Sequence, residues 1–534
     1  MSSRTPSPQT RARRSRGAAR LANMAGGSLG AILVKIVLLG LVDALGIFAL
    51  FMLATQHNWI VFAIVAAALI AINYIYFSKR TLAMKYLTPG LIFLLVFQVF
   101  VIGYTGYISF TNYGSGHNST KEDAVTALMQ SAQERVPDSA TYELTVLRDG
   151  GDFGFLVTDP KGEVSYGTAE HPLERVTNAT MTGDKATGLP GKEALNFAEI
   201  VDNQKAIVDL QVPVSSDPNK GALRTPDGSS AFLYLSSLRY DAHADTMTDT
   251  KTGTVYSDTG VGAFADSAGK QLKPGWSIGV GIDNYVKAVT DEGIRGPLIG
   301  VTLWTFAFAL LSVLTTFALG LFLAIVFNDM RMKGRAFYRV LIILPYAFPS
   351  FLGALVWAGL LNRDFGFINL ELFGGAHIPW LTDAFLGKVS ILFVNLWLGF
   401  PYMFLVCMGA LQSIPDDVQE AAKMDGANPF QIFKKIKLPL LLVSVAPLLI
   451  SSFAFNFNNF NLVYMLTGGG PRDASASINV GGTDILISMV YKVAFVGADR
   501  DYGLASAFSI LIFIVVAIIA IVSFRQTKAL EELN

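Results

Sequence analysis

EAAKMDGANPFQIFKKIKLPLLLVSVAPLLISSFAFNFNNF, residues 420–460, runs from a short polar segment straight into a long apolar one. The polar part reads as two short helices. Just before it, Ser413-Ile414-Pro415-Asp416-Asp417 is a helix start, with proline at a first-turn position and acids over the positive end of the dipole. That helix passes through Glu420-Ala421-Ala422-Lys423 and stops at Gly426. Asn428-Pro429 caps a second helix ending in Lys434 and Lys435, and Leu438-Pro439 breaks it from the apolar run. From Leu440 to Thr467 there is no charged side chain, which is enough chain to cross a bilayer. Two rigid polar helices rooted in an apolar span can transmit a push into a membrane. A purely structural hairpin would have the same pattern, and local chemistry does not separate the two.

Outward from this stretch the pattern repeats. Apolar runs fall at about 31–54, 59–77, 87–110, 297–327, 338–361, 388–412, 440–466 and 504–524, which predicts eight spans. Composition agrees: 52% of the 534 residues are hydrophobic and only 15% charged, so much of the surface must face something other than water. Mean hydropathy is +0.45. The formal net charge is zero, which leaves no global case for nucleic acid, and the single cysteine, Cys407, excludes an intrachain disulfide or a cysteine metal cluster.

Basic residues set the orientation. Arg4, Arg11, Arg13, Arg14, Arg16 and Arg20 precede the first span; Lys79, Arg80 and Lys85 follow the second. Arg331, Lys333, Arg335 and Arg339 lie between the fourth and fifth, Lys423, Lys434, Lys435 and Lys437 before the seventh, and Arg525 and Lys528 after the eighth. Every second connection is basic, so both termini are expected in the cytoplasm of a multi-pass inner-membrane protein. The tail 1–30, rich in Ser, Pro and Arg, is expected to be disordered. Inside the first span Lys35 and Asp43 are eight residues apart and roughly one-sided; Lys35 can snorkel to the interface while Asp43 needs water or a neighbour.

The other domain boundaries are set by the same runs: spans one to three over 31–111, a polar insert over 112–290 on the external, periplasmic side, a core of five spans over 291–527 with its polar loop at 415–439, and a tail over 528–534. The insert reads as a folded α+β or mostly β domain. Segments 141–147 and 153–158 alternate like strands, Asp159-Pro160-Lys161-Gly162 turns into 163–166, 231–238 is another strand, and 121–135 has helical spacing. It contains no histidine cluster, nucleophile elbow or phosphate loop. An insert of this size suits docking of an external partner.

The sixth and seventh spans carry neutral polar groups. Asn395, Gly399 and Tyr402 share one helix face with Leu398 beside them, and Ser452, Asn456 and Asn459 share another with Phe455 adjacent. Amides with aromatic rings and no charge suit a neutral polyhydroxyl ligand, since amides both give and accept hydrogen bonds and rings cover the apolar face of a sugar. The same amides could instead hold helices together.

Glu420-Ala421-Ala422, Gly426, Ile436 and Leu438-Pro439, with three residues before the glycine and nine between it and the isoleucine, resemble the EAA signature of bacterial ABC importer permeases. Segments 395–402 and 452–460, the eight spans and the large insert after the third resemble the maltose- and maltodextrin-importing members of that family. The resemblance implies an α-helical polytopic membrane protein of ABC importer permease type with an extracytoplasmic α+β or β domain between helices 3 and 4. It implies that Glu420, Ala421, Ala422 and Gly426 sit in a groove of an ATPase subunit, with Ile436, Leu438 and Pro439 completing the motif. It also implies that Asn395, Leu398, Gly399, Tyr402, Ser452, Phe455, Asn456 and Asn459 contact a malto-oligosaccharide. The partners implied are a second permease subunit, an ATPase dimer using ATP and Mg, a periplasmic sugar-binding protein and membrane lipid. The chain has no Gly-x4-Gly-Lys-Ser/Thr, its Gly-Lys pairs being followed by Glu193, Gln271 and Val389, so no cofactor, catalytic or metal residue is expected in it.

Two rivals remain. An ion-coupled transporter would need ionisable groups in the core spans, and a sensory receptor would need more chain after Phe524.

Overall fold

The protein is described by a computed structural model covering residues 29–78, 80–328, 332–497 and 500–531. The basic tail to Arg20, Lys79, Arg331 and the side chains of Lys35 and Lys528 lie outside the described residues. The chain divides into two compact units, the first ending at Gly103. Among the described residues seven helices are long and apolar enough to cross a membrane, and one bent pair raises the number to eight.

In the first unit, α1 (Leu29–Thr55) and α2 (Trp59–Phe77) pack together. Asp43 finds its partner here: Asn73 Nδ2 donates to its carboxylate at 2.7 Å. The third span is one helix, α3 (Leu82–Ile108), which begins five residues earlier than hydropathy suggests. Lys85 therefore lies in the helix and not in the preceding turn. Pro89 sits inside α3 and lacks the N–H that would meet the Lys85 carbonyl; Tyr76 Oη donates to that carbonyl instead, at 3.1 Å.

The second unit opens with the insert. Its two ends meet, Asn284 Nδ2 donating to the carbonyls of Ser109 and Thr111 at 2.9 and 2.8 Å. A large antiparallel sheet runs in the order Glu174–Arg175, Val164–Thr168, Asp152–Thr158, Tyr142–Asp149, Ser230–Ser236, Ala222–Arg224, Val212–Pro213. Strand alternation fills both faces: Leu144, Val146, Phe155 and Val157 pack with Ile207 and Leu223 on one, Leu147 and Leu156 with Val164 and Ala186 on the other. A second, four-stranded sheet (Leu238–Asp241, Thr246–Asp249, Val255–Asp258, Phe264–Ala265) is covered by α4 (Lys121–Ser131). The helical spacing of 121–135 overruns: the chain leaves the helix after Ser131, and Gln133–Arg135 pairs as a strand with Ser230–Ser236. Lys121 pins α4 to the sheet, its ammonium held by Asp245 and by Asp258 at 2.6 Å.

The core helices are α5 (Glu292–Asn328), α6 (Arg335–Ile343), α7 (Ser350–Leu360), α8 (Ala384–Gln412), α9 (Asp416–Met424), α10 (Pro429–Phe457), α11 (Phe460–Thr467), α12 (Leu486–Phe495) and α13 (Tyr502–Glu531). α5 packs on α8 closely enough that a Cβ at Gly320 would lie 2.7 Å from the Met403 backbone.

Two predicted spans are interrupted. The run 338–361 is not straight: a short turn at Leu344–Ala347 separates α6 from α7, and the two cross at 91°. Pro345 and Pro349 are the cause, since neither supplies an N–H and each ring crowds the carbonyl four residues back. The run 440–466 is α10 followed by α11, broken at Asn458-Asn459. Conversely, Leu438-Pro439 breaks nothing. A π turn at Phe433–Lys437 widens the helix where the Pro439 ring would collide with the preceding turn, and α10 runs unbroken from Pro429 to Phe457.

After α11 the glycine turn Gly468–Pro471 leads to a buried ion pair. Asp484 takes Lys492 Nζ at 2.7 Å, Ser488 Oγ at 2.8 Å and the Gly481 N–H at 2.7 Å, and the two charged side chains are 0% and 8% exposed. Gly469 (φ +75°) must be glycine: a Cβ there would fall 1.8 Å from the Asp484 carboxylate. Lys492→Met strands the carboxylate and is expected to destabilise the protein by about 3–5 kcal/mol, while Asp484→Asn/Lys492→Met recovers most of the loss. Thermal unfolding of the detergent-purified protein checks this; equal stability of single and double variants contradicts it.

Candidate functional site

A cavity of about 570 Å³ opens among α5, the α6–α7 bend, α8, and α10 with its break. All eight residues singled out in the sixth and seventh spans line it: Asn395, Leu398, Gly399, Tyr402, Ser452, Phe455, Asn456 and Asn459. No charged side chain among the described residues does.

The four from α8 lie there by simple periodicity, the residues at 395, 398/399 and 402 recurring on one face. Pro401 sits among them and has no N–H for the Trp397 carbonyl, an interruption a membrane helix tolerates beside a cavity. Gly399 faces Thr316 of α5, whose Cγ2 would be 3.0 Å from a Cβ at that position. Any larger residue must push α5 back or project into the cavity.

The α10 residues arrive differently from the expectation of one continuous helix face. Ser452, Phe455 and Asn456 are helical, but α10 ends at Phe457, and Asn459 stands outside it as the N-cap of α11. Its carbonyl oxygen accepts from the Leu462 N–H at 3.4 Å, and its Nδ2 donates to Asn395 Oδ1 at 3.3 Å. The break thus turns Asn459 towards α8, and one amide pair joins both polar faces. Asn456 Nδ2 donates to the Ser452 carbonyl of its own helix at 2.8 Å, whereas its Oδ1, in a residue only 7% exposed, has no partner among the described residues. Phe455, 67% exposed, presents a bare ring to the space.

Sequence reasoning missed the remaining walls. Thr316 is one of several hydroxyl residues in its span, with Thr302, Thr305, Ser312 and Thr315, and Met403, Ser451 and Leu462 adjoin the chosen residues without standing out. Tyr346, Phe348 and Ser350 reach the cavity only through the bend. The two prolines were the available signal for that bend.

The 415–439 loop has its own geometry. α9 begins at Asp416, so Pro415 precedes the helix and is not within its first turn. Its end is a Schellman motif: the Gly426 N–H meets the Lys423 carbonyl and the Ala427 N–H the Ala422 carbonyl, both at 3.0 Å, with Gly426 at φ +80°. Asn428 and Gln431 then form a capping box on α10. Glu420, Ala421, Gly426 and Pro439 are exposed and Ala422 is half-buried, with Met424 and Phe430 bare beside them. Ile436 and Leu438 are half-buried, and Leu438 packs into the cluster of Leu321, Phe404, Leu411 and Leu441. The motif therefore divides into an outward face at 420–426 and a root at 436–438.

Residues 297–532 match the family described as binding-protein-dependent transport system inner membrane component, and 92–170 match the N-terminal region of the TM subunit in PBP-dependent ABC transporters. The maltose/maltodextrin transport system permease protein MalF of Klebsiella aerogenes is 36% identical over 480 residues, covering 88% of this chain and 91% of that protein. The MalF protein of Vibrio parahaemolyticus is 36% identical over 519 residues, 94% of this chain and 96% of its own. That of Photorhabdus laumondii is 37% identical over 488 residues, 88% and 91%. With apolar helices enough for a multi-pass membrane protein, a β-rich insert after the third and this likeness over nearly the whole length, the chain belongs to the MalF family of ABC importer permeases and is a transport component.

Proposed function

We propose that this chain carries maltose and maltodextrins inward across the cytoplasmic membrane through the cavity between α5, α8 and α10, driven by a separate ATPase that grips residues 420–426. The observation that carries the proposal is the unpartnered, buried Asn456 Oδ1 in an uncharged cavity with a bare aromatic ring. A buried acceptor without a donor is costly unless a ligand supplies one. The hydroxyls of Tyr402, Ser451 and Ser452 likewise meet no protein group among the described residues. Several free hydroxyls, one free amide oxygen and exposed ring faces complement a neutral sugar; an ion or a phosphate would call for charge. The relatives' names, which specify maltose and maltodextrin, support the same substrate.

A second permease subunit completes the path in this reading, two copies of an ATPase hydrolyse ATP with Mg, and a periplasmic binding protein delivers sugar to residues 112–290. In this reading both termini lie in the cytoplasm, which the alternation of basic connections supports. The chain itself contributes no nucleotide chemistry, since it has no phosphate-binding loop sequence. Its role is binding and conformational change.

Asn456→Ala is expected to lower maltose uptake about tenfold, the worth of one good hydrogen bond to substrate, and Gly399→Asp to abolish it by placing a charge against Thr316. Labelled-maltose uptake in cells with equal amounts of assembled transporter checks both, and wild-type rates in both variants would remove the cavity from the path.

Gly426→Val forces a β-branched residue to φ +80°, a strain of about 1–3 kcal/mol at the coupling surface. Uptake and sugar-stimulated ATP hydrolysis are expected to be lost while the subunits still copurify. Normal uptake by this variant refutes the coupling role.

A further inference from the structure

We propose that the insert carries its own site for a neutral oligosaccharide, in the cleft between its two sheets and outside the membrane. The ligand class is that of the function proposed above, while the residues involved are separate from the membrane cavity.

The cleft encloses about 1250 Å³, roughly twice the 570 Å³ of the membrane cavity, and suits a chain of several sugar units. α4 and the strands Leu238–Asp241 and Thr246–Asp249 line it on one side, and the segment 211–222 at the edge of the large sheet lines it on the other. The two sheets have separate apolar cores, and Asn219 clasps them together at the cleft. Its Nδ2 donates to the Tyr240 carbonyl at 3.0 Å, and its Oδ1 accepts from the Tyr240 N–H at 3.1 Å.

Two glutamines give the cleft its need for a ligand. Gln133 lies where the chain leaves α4 for the large sheet, and Gln211 precedes the edge strand Val212–Pro213. Both line the cleft, and the Oε1 of each is buried with no hydrogen-bond partner among the described residues. Such unmet acceptors are costly, and a glutamine amide turns easily about its last bond to bring either end to a ligand. Thr246 and Thr248, two apart on one strand and so on one face, add hydroxyls that meet no protein group among the described residues. Amides and hydroxyls both give and accept hydrogen bonds, which matches a polyol. Val125, Met129, Pro172 and Pro213 supply apolar patches for the C–H faces of pyranose rings. The exposed carboxylates of Glu122, Glu170, Asp217 and Asp241 accept hydroxyl hydrogens and repel anions, while Lys121 and Arg239 oppose a cation.

The test is equilibrium binding of labelled maltoheptaose to the purified complex of this chain with its second permease and ATPase subunits, in the absence of any binding protein. Gly399→Asp, which obstructs the membrane cavity, is expected to leave one maltoheptaose bound per complex. In that background Gln133→Ala/Gln211→Ala is expected to weaken binding about tenfold through loss of its hydrogen bonds. Thr126→Trp, at an exposed position of α4 on the cleft, is expected to abolish it. If the glutamine double variant fails to assemble, Thr126→Trp decides, since that side chain starts at the surface. Failure of the Gly399→Asp complex to bind overturns this inference, and if the wild-type complex then does bind, the membrane-cavity reading stands without it. Binding by the Gly399→Asp complex that neither cleft variant changes overturns it too, because the sugar then sits elsewhere.

Discussion

An amide buried at membrane depth has to be met by another polar group or by a ligand, and the arrangement of this core depends on how three asparagines meet that demand. Asn459 is satisfied twice, by the start of α11 and by Asn395 across on α8. To do so it must leave the helix of α10, and the span breaks there. Asn456, one turn earlier, stays helical and satisfies only its nitrogen. The same local break therefore closes one amide pair and leaves one acceptor free. Around that acceptor the surrounding walls are small or flat: Gly399 over Thr316, the ring of Phe455, the serines of α10. In the function proposed here a bound sugar supplies the missing partner.

The loop at 415–439, to which the proposal gives the coupling role, is tied to the cavity through continuity. α10 is a single helix from Pro429, the capped start beside the Gly426 turn, to Phe457 at the site, roughly 40 Å at 1.5 Å per residue. The π turn at Phe433–Lys437 lets it pass Pro439 without a break. Leu438 and Leu441 hold this helix against α5 and α8 near its root. A displacement applied at 420–426 thus has only the short turn at 425–428 to cross before a helix that leads to Ser452, Phe455 and Asn456. The bend of α6 and α7 forms a separate wall, so movement of α8 and α10 relative to it changes the shape of the cavity.

Much of this is legible in the sequence, for identifiable reasons. Period-3.6 spacing puts Asn395, Leu398, Gly399 and Tyr402 on one face, and they share one cavity. Helix-stop chemistry locates Gly426, and the structure builds a Schellman turn on it. Where sequence and structure part, hydropathy is silent about backbone. An apolar run looks the same by hydropathy whether the helix continues or breaks, so 338–361 and 440–466 read as straight; Pro345 and Pro349 mark the first interruption, and the one at Asn458 leaves no mark. Proline misleads in the opposite direction at Pro439, because a π turn can absorb what a plain α-helix cannot. At 121–135 the apolar spacing continues past Ser131 although pairing with Ser230–Ser236 is available to the last three residues. The residues missed at the site, Thr316, Tyr346 and Ser350, reach it through helix packing and a turn, neither of which leaves a periodic trace.

The central claim is that a neutral oligosaccharide occupies the cavity beneath the Asn395–Asn459 pair. A structure of the assembled transporter trapped with maltotriose measures this most directly. The account predicts sugar density between α8 and α10, with a hydroxyl within hydrogen-bonding distance of Asn456 Oδ1 and a pyranose face on Phe455. Sugar bound elsewhere along the chain, with this cavity filled only by side chains or water, would contradict it.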